Sequence, residues 1–183
     1  MSDMPVLEPA VVTAIEDYFR SLQAHASAEQ MLADVLTSDF QTGFAGGHMW
    51  TGEQGLRDFL SARSVFFDES HQLLQIFEVA LEADGRVRAR TRLRFFLRRL
   101  EPGAARSEEY TGDAFHTWVF DRGNGRTPWR VAAQLADGFA DLNGPAKRLF
   151  AMPQQGLNTW ADGRVDSGAA ADFRSAPTSA LRG

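Results

Sequence analysis

Four side chains in this 183-residue chain are candidates for proton-transfer chemistry: His71, Asp113, His116 and Tyr18. An imidazole titrates near neutral pH, so His71 can act as general base or acid. A carboxylate facing it, Asp113, would orient the ring and stabilise its protonated form. His116 in the same place would instead make a two-histidine pocket. That pocket suits a dehydration, in which one group takes a proton α to a carbonyl while another assists departure of hydroxide. Tyr18 would donate a hydrogen bond to a substrate oxygen.

The element that must position His71 is a long β-hairpin over His71–Leu100. Its second arm alternates strictly, with Val87, Ala89, Thr91, Leu93 and Phe95 on one face and Arg86, Arg88, Arg90, Arg92 and Arg94 on the other. Such alternation marks a strand with one dry face. A three-residue turn, Ala83-Asp84-Gly85, pairs Leu81 with Val87, Val79 with Ala89 and Phe77 with Thr91. A two-residue turn would set Leu81 beside Arg88, so the apolar pattern selects the longer turn, with Gly85 left-handed. In this register His71 shares the dry face with Leu73, Phe77, Leu93 and Phe95. The arginines point away from the concave side, balanced by Glu78, Glu82, Glu108 and Glu109, with Leu74, Ile76 and Phe96 as apolar spots among them.

The next strand, Glu108–Asp121, leaves its parity open. Asp113, Phe115, Thr117 and Val119 share one face, and Ala114, His116, Trp118 and Phe120 the other. Both sets are apolar enough to face inward, so either Asp113 or His116 could join His71.

Helical spacing of Val12, Ile15, Phe19 and Leu22, flanked by Val11 and Tyr18, predicts a helix from Pro9 to about Ala24. Ser27 and Gln30 have capping-box spacing at the head of a second helix. A short strand over Phe40–Ala45 and a loop over His48–Gly52 precede a third helix from Glu53, for which Thr51 is a candidate cap. Trp129 opens the last strand, and Lys147–Met152 is a candidate short helix. This order predicts an α+β fold: a curved, mainly antiparallel sheet wrapped around N-terminal helices, forming a cone with an apolar pocket. Phe44, Phe77 and Phe95 would shape the pocket with Trp118, and His48 and Trp50 would line its mouth. The expected organisation is a leader at 1–8, the domain at 9–142, and a C-terminal extension at 143–183 that is partly disordered or caps the pocket.

The net charge of −5 provides no general attraction for nucleic acid, and no apolar run approaches a membrane span. There is no cysteine, hence no disulfide, thiolate metal site or cysteine nucleophile. The four histidines lack ligand-pair spacing, so no metal and no cofactor are expected. No signal peptide is evident, and a cytoplasmic location is the expectation.

With that order of elements, the chain resembles the NTF2-like superfamily (cystatin-like α+β, SnoaL-like) over roughly residues 9–142. The resemblance rests on Leu36-Thr-Ser-Asp-Phe-Gln, on Trp50-Thr-Gly52 leading into Leu56-Arg-Asp-Phe-Leu60, on Ser70-His71 at the start of the hairpin, and on Trp129-Arg-Val-Ala. It implies a histidine like that of dehydratase-like members at His71, and a tyrosine near the isomerases' oxyanion donor at Tyr18. The isomerases' aspartate base has no match, because Phe44-Ala-Gly-Gly occupies its place. The expected function is a cofactor-independent lyase or isomerase of SnoaL-like type, catalysing dehydration, isomerisation or cyclisation of a hydrophobic, polyketide or aromatic substrate. The resemblance also implies a homodimer formed through the outer sheet face. The alternative is a non-catalytic binding or accessory subunit, such as a ring-hydroxylating dioxygenase β subunit-like protein. A weaker reading makes the arginine row a surface for polyanions.

Overall fold

The computed structural model describes residues 4–45, 47–123 and 127–150. Helix α1 spans Met4–Gln23 and α2 spans Ala28–Asp34; strands β1 (Leu36–Phe44) and β2 (Met49–Thr51) follow, then helix α3 (Gly52–Arg63). Four long strands come next: β3 (Phe66–Leu81), β4 (Val87–Arg99), β5 (Glu108–Arg122) and β6 (Trp129–Ala140), and helix α4 spans Gly144–Leu149. The six strands form one sheet in the order β2-β1-β6-β5-β4-β3. Only β1 and β6 run parallel; the other neighbours are antiparallel. Helices packed on one face of a mainly antiparallel sheet are the α+β arrangement the sequence predicts.

β1, β3 and α4 each begin earlier than the sequence predicts, at Leu36, Phe66 and Gly144, and two further elements differ from expectation. Helix α1 starts at Met4, with Pro9 inside it. Proline lacks the N–H but its fixed φ is helical, so an early proline need not mark the start. Its buried face is Val11, Ile15, Tyr18 and Leu22, which turns Tyr18 into the core and leaves Phe19 at its border. The loop expected at His48–Gly52 contains β2, paired with β1 through Thr42↔Trp50 and Gly43↔Met49. Gly43 permits this close approach: a Cβ there would lie 2.2 Å from the His48 carbonyl oxygen. At α2, Ser27 Oγ accepts from the Gln30 N–H and Gln30 Oε1 accepts from the Ser27 N–H, the reciprocal cap predicted. Thr51 precedes α3 without a side-chain capping bond.

The hairpin turn forms as its apolar pattern dictates. Leu81 pairs with Val87, Val79 with Ala89 and Glu78 with Arg90, and Gly85 has φ +85. Further along, β3 carries bulges between Ile76 and Glu78 and between Leu73 and Gln75. Each bulge inverts the face of the residues beyond it. Ile76 therefore pairs with the inward Thr91, and Phe77 is expelled to the outer face, where it is 40% exposed and stacks on Phe115. The second bulge restores the parity, so Leu73 pairs with Leu93 and His71 with Phe95 on the inner face. Phe77 is thus not a pocket residue, and Ile76 is not an outer apolar spot.

The candidate functional site

The concave face of the sheet, α1 and α3 line a cavity of about 90 Å³. Tyr18, Arg63, His71, His116, Thr42 and Gln134 supply its polar lining. Aromatic walls come from Phe19, Phe44, Trp50, Phe59, Phe95, Phe139 and Phe150. Phe150, just past α4, stacks on Phe139 at 4.5 Å and meets Phe95 edge-on at 5.6 Å. An apolar cavity with a few convergent polar groups is the usual form of a small-molecule site.

The parity of β5 is resolved by its pairing with β4. His116 lies opposite Thr91, Ala114 opposite Leu93 and Trp118 opposite Ala89, so the even-numbered set faces inward. His116 joins His71, and Asp113 does not. Asp113 lies opposite Arg94 on the outer face, where Arg92 Nε donates to it at 2.8 Å and Arg94 Nε at 2.9 Å. Burial alone would raise its carboxyl, but hydrogen bonds from Arg94 and Arg92 and their charge outweigh this and hold it below the usual carboxylate range. Asp113 is a counter-ion for the arginine row, not a partner for His71. Asp113→Asn is expected to lower stability by about 1.5–3 kcal/mol through weakened charge-assisted bonds, read by chemical denaturation, and to leave the ligand affinity of the cavity unchanged.

Trp118 also takes a different place from the one expected. It is fully buried beneath the cavity, its Nε1–H donates to Thr91 Oγ1 at 2.9 Å, and it stacks on Phe120. It does not line the cavity. His48 is exposed and packs edge-on against Trp50 at 4.5 Å, outside the lining. Phe44, Trp50 and Phe95 line the cavity.

His71 is held flat against Phe19, with ring centroids 4.2 Å apart and planes 15° apart. The His116 ring lies 6.2 Å from the same phenyl group. The Nδ1 atoms of both histidines are buried without a hydrogen-bond partner among the described residues. Glu69 Oε2 lies 3.8 Å from His71 Nδ1, too far for a hydrogen bond. Glu69 is instead ion-paired with Arg63 at the end of α3. Burial, then the charge of Arg63, then His116, push the His71 pKa well below its ordinary value. Burial and Arg63 push His116 down to about 3. Both rings are therefore neutral at pH 7, and the nearby Glu69 does not reverse this because Arg63 neutralises it.

These shifts carry a stability consequence. The folded pKa lies below the unfolded one, so the unfolded chain takes up protons that the folded chain refuses. Stability is complete above about pH 6.5 and is lost as pH falls toward the folded value. Relative to wild type, His116→Gln is expected to flatten the decline between pH 6.5 and 4.5 by about 2–3 kcal/mol, measured by urea denaturation across pH. An unchanged slope would show that His116 takes up its proton in the fold.

Tyr18 O–H donates to Gln134 Oε1 at 3.4 Å, and Thr42 Oγ1 donates to the same oxygen at 2.7 Å. Burial pushes the Tyr18 hydroxyl well above its ordinary value, opposed by Arg63 and Thr42, so it remains a donor. Gln134 faces inward because β6 is bulged against β5 between Val119 and Phe120. Val131 pairs with Phe120, yet beyond the bulge the inward residues are Gln134 and Ala136, opposite Trp118 and His116.

No family model and no curated protein matches the chain. Solved structures do. A protein provisionally named scytalone dehydratase from Novosphingobium aromaticivorans superposes with TM-score 0.63 at 15% identity, covering 78% of this chain and 91% of that one. A nuclear transport factor 2-like superfamily protein from Salmonella enterica gives TM-score 0.57 at 13% identity, over 75% and 94% of the two chains. The chain has the NTF2-like fold. A hexachlorocyclohexane dehydrochlorinase shares that fold, with TM-score 0.58 at 14% identity over 78% and 93% of the chains. Identities this low carry the NTF2-like fold and not an activity. No helix among the described residues is long and apolar enough to cross a membrane.

Proposed function

We propose that this protein is a small-molecule lyase or isomerase working by acid/base proton transfer in the NTF2-like cavity. The observation that carries the reading is that His71 and His116 line one aromatic-walled cavity with Tyr18. The dehydratase and dehydrochlorinase named among the structural neighbours support the same class. His71, neutral at pH 7, takes the proton from a carbon next to a carbonyl. The electron pair moves into the enolate, whose oxygen accepts a hydrogen bond from Tyr18. The imidazolium then returns the proton, either to another carbon, giving an isomer, or to a departing hydroxide, which leaves as water. His116 is the second imidazole, positioned against the same Phe19 ring.

The substrate is a compact, hydrophobic, aromatic carbonyl compound, including a polyketide-like one small enough for the cavity. A binding-only role fits less well, because a pocket with a second histidine and a buried tyrosine holds more polar groups than an apolar ligand needs. A homodimer through the outer sheet face is part of this reading, supported by Leu74 and Phe77, each 40% exposed there. The test is deuterium incorporation from D2O at the α-carbon of small aryl ketones, followed by NMR. Exchange faster than in buffer supports the assignment; no acceleration with any ketone that binds the cavity overturns it.

A further inference from the structure

Arg63 is the only lysine or arginine among the described residues lining the cavity. It was not among the candidates read from the sequence. It closes α3, and its guanidinium lies over the Phe59 ring at 5.5 Å. Its side chain is 20% exposed, and one terminal nitrogen pairs with the Glu69 carboxylate, which is 2% exposed. Glu69 itself does not line the cavity. The Arg63 Nε is buried without a hydrogen-bond partner among the described residues. A buried guanidinium nitrogen left unpaired is costly unless something satisfies it. The Arg63 charge reaches Tyr18, His71 and His116 alike, opposing the charged form of both histidines and favouring tyrosinate. It therefore lies within the same field as all three groups.

We propose, building on the proton-transfer reading of this cavity, that Arg63 is a second oxyanion-binding residue in addition to Tyr18, with Glu69 as the anchor that positions it. The ligand class is a planar aromatic compound whose carbonyl or phenol oxygen gains negative charge when bound. A guanidinium presents a rigid fork of donors to such an oxygen, and its charge acts strongly in a dry cavity. Glu69 behind it offsets the resting charge. A ligand that becomes anionic in place is therefore favoured over one that arrives as a carboxylate.

The test uses 4-nitrophenol, whose phenolate absorbs in the visible, titrated against the full-length protein across pH. An apolar cavity alone would favour the neutral phenol. With Arg63 in place, the phenolate-to-phenol ratio of the bound probe should exceed that of free probe by about tenfold. Arg63→Lys keeps the charge without the fork and should lose part of that preference. Arg63→Met with Glu69→Gln removes both charges, so no unpaired carboxylate is left buried, and should reverse the preference toward phenol. Bound phenol that is no more ionised than free phenol in the wild type overturns the assignment, as does a folded double variant that keeps the phenolate preference. His71→Gln should retain phenolate binding while losing proton exchange. Failure of the oxyanion site is thus separable from failure of the acid/base reading.

Discussion

His71→Gln is expected to slow α-proton exchange by about 10²–10⁴-fold, the usual contribution of a positioned general base. The fold should survive. The His71 side chain is 7% exposed and its Nδ1 makes no hydrogen bond that the substitution would break. What is lost in packing is one stacked contact with Phe19. Removing a buried imidazole also removes one of the groups that disfavour the fold in acid. The variant should therefore unfold at a denaturant midpoint close to wild type at pH 7. It should bind the same ligands and fail only in chemistry. A variant that exchanges protons at the wild-type rate would remove His71 from the mechanism.

Trp118→Ala has the largest expected effect on stability. The indole is fully buried and packs against Tyr18 and Phe19 from α1, both edge-on, and against Phe120 on β5. Truncation leaves a cavity and orphans the Thr91 hydroxyl that accepts from Nε1. Losses of about 3–5 kcal/mol accompany such truncations, which for a chain of this size means a fall in melting temperature of roughly 10 °C. Thermal unfolding followed by circular dichroism would measure it. Had Trp118 been a wall of the pocket, the main effect would fall on ligand affinity, with stability little changed.

The difference between these two residues shows what the sequence could disclose. The alternation of β4 is uninterrupted, so its inward and outward faces were legible, and the arginine row points outward as read. The turn at Ala83–Gly85 followed from the same pattern. Bulges were not legible, because an extra residue in one strand leaves no compositional mark. One bulge exchanged Ile76 and Phe77, and another brought Gln134 inward. His71 kept its inward place because two bulges in β3 cancel between the turn and its position.

The choice between Asp113 and His116 depended on pairing with β4, where Asp113 finds two arginines. The alternating arginines were themselves the available signal: a carboxylate on the neighbouring strand has its best partners on their face. Arg63 gave a misleading signal, since a basic residue in the last turn of a helix reads as a complement to the helix dipole. Gln134 offered a clue, as a lone amide within Val131–Ala136, where its neighbours are apolar.

The most direct measurement of a neutral His71 base is the pH dependence of aryl-ketone exchange catalysed by the wild-type protein. Because burial and Arg63 hold the imidazole pKa well below 6.5, the rate should stay level from pH 8 to below pH 6.5 and fall only in more acidic solution. A break at or above pH 6.5 would contradict a buried, neutral His71 as the group that takes the proton.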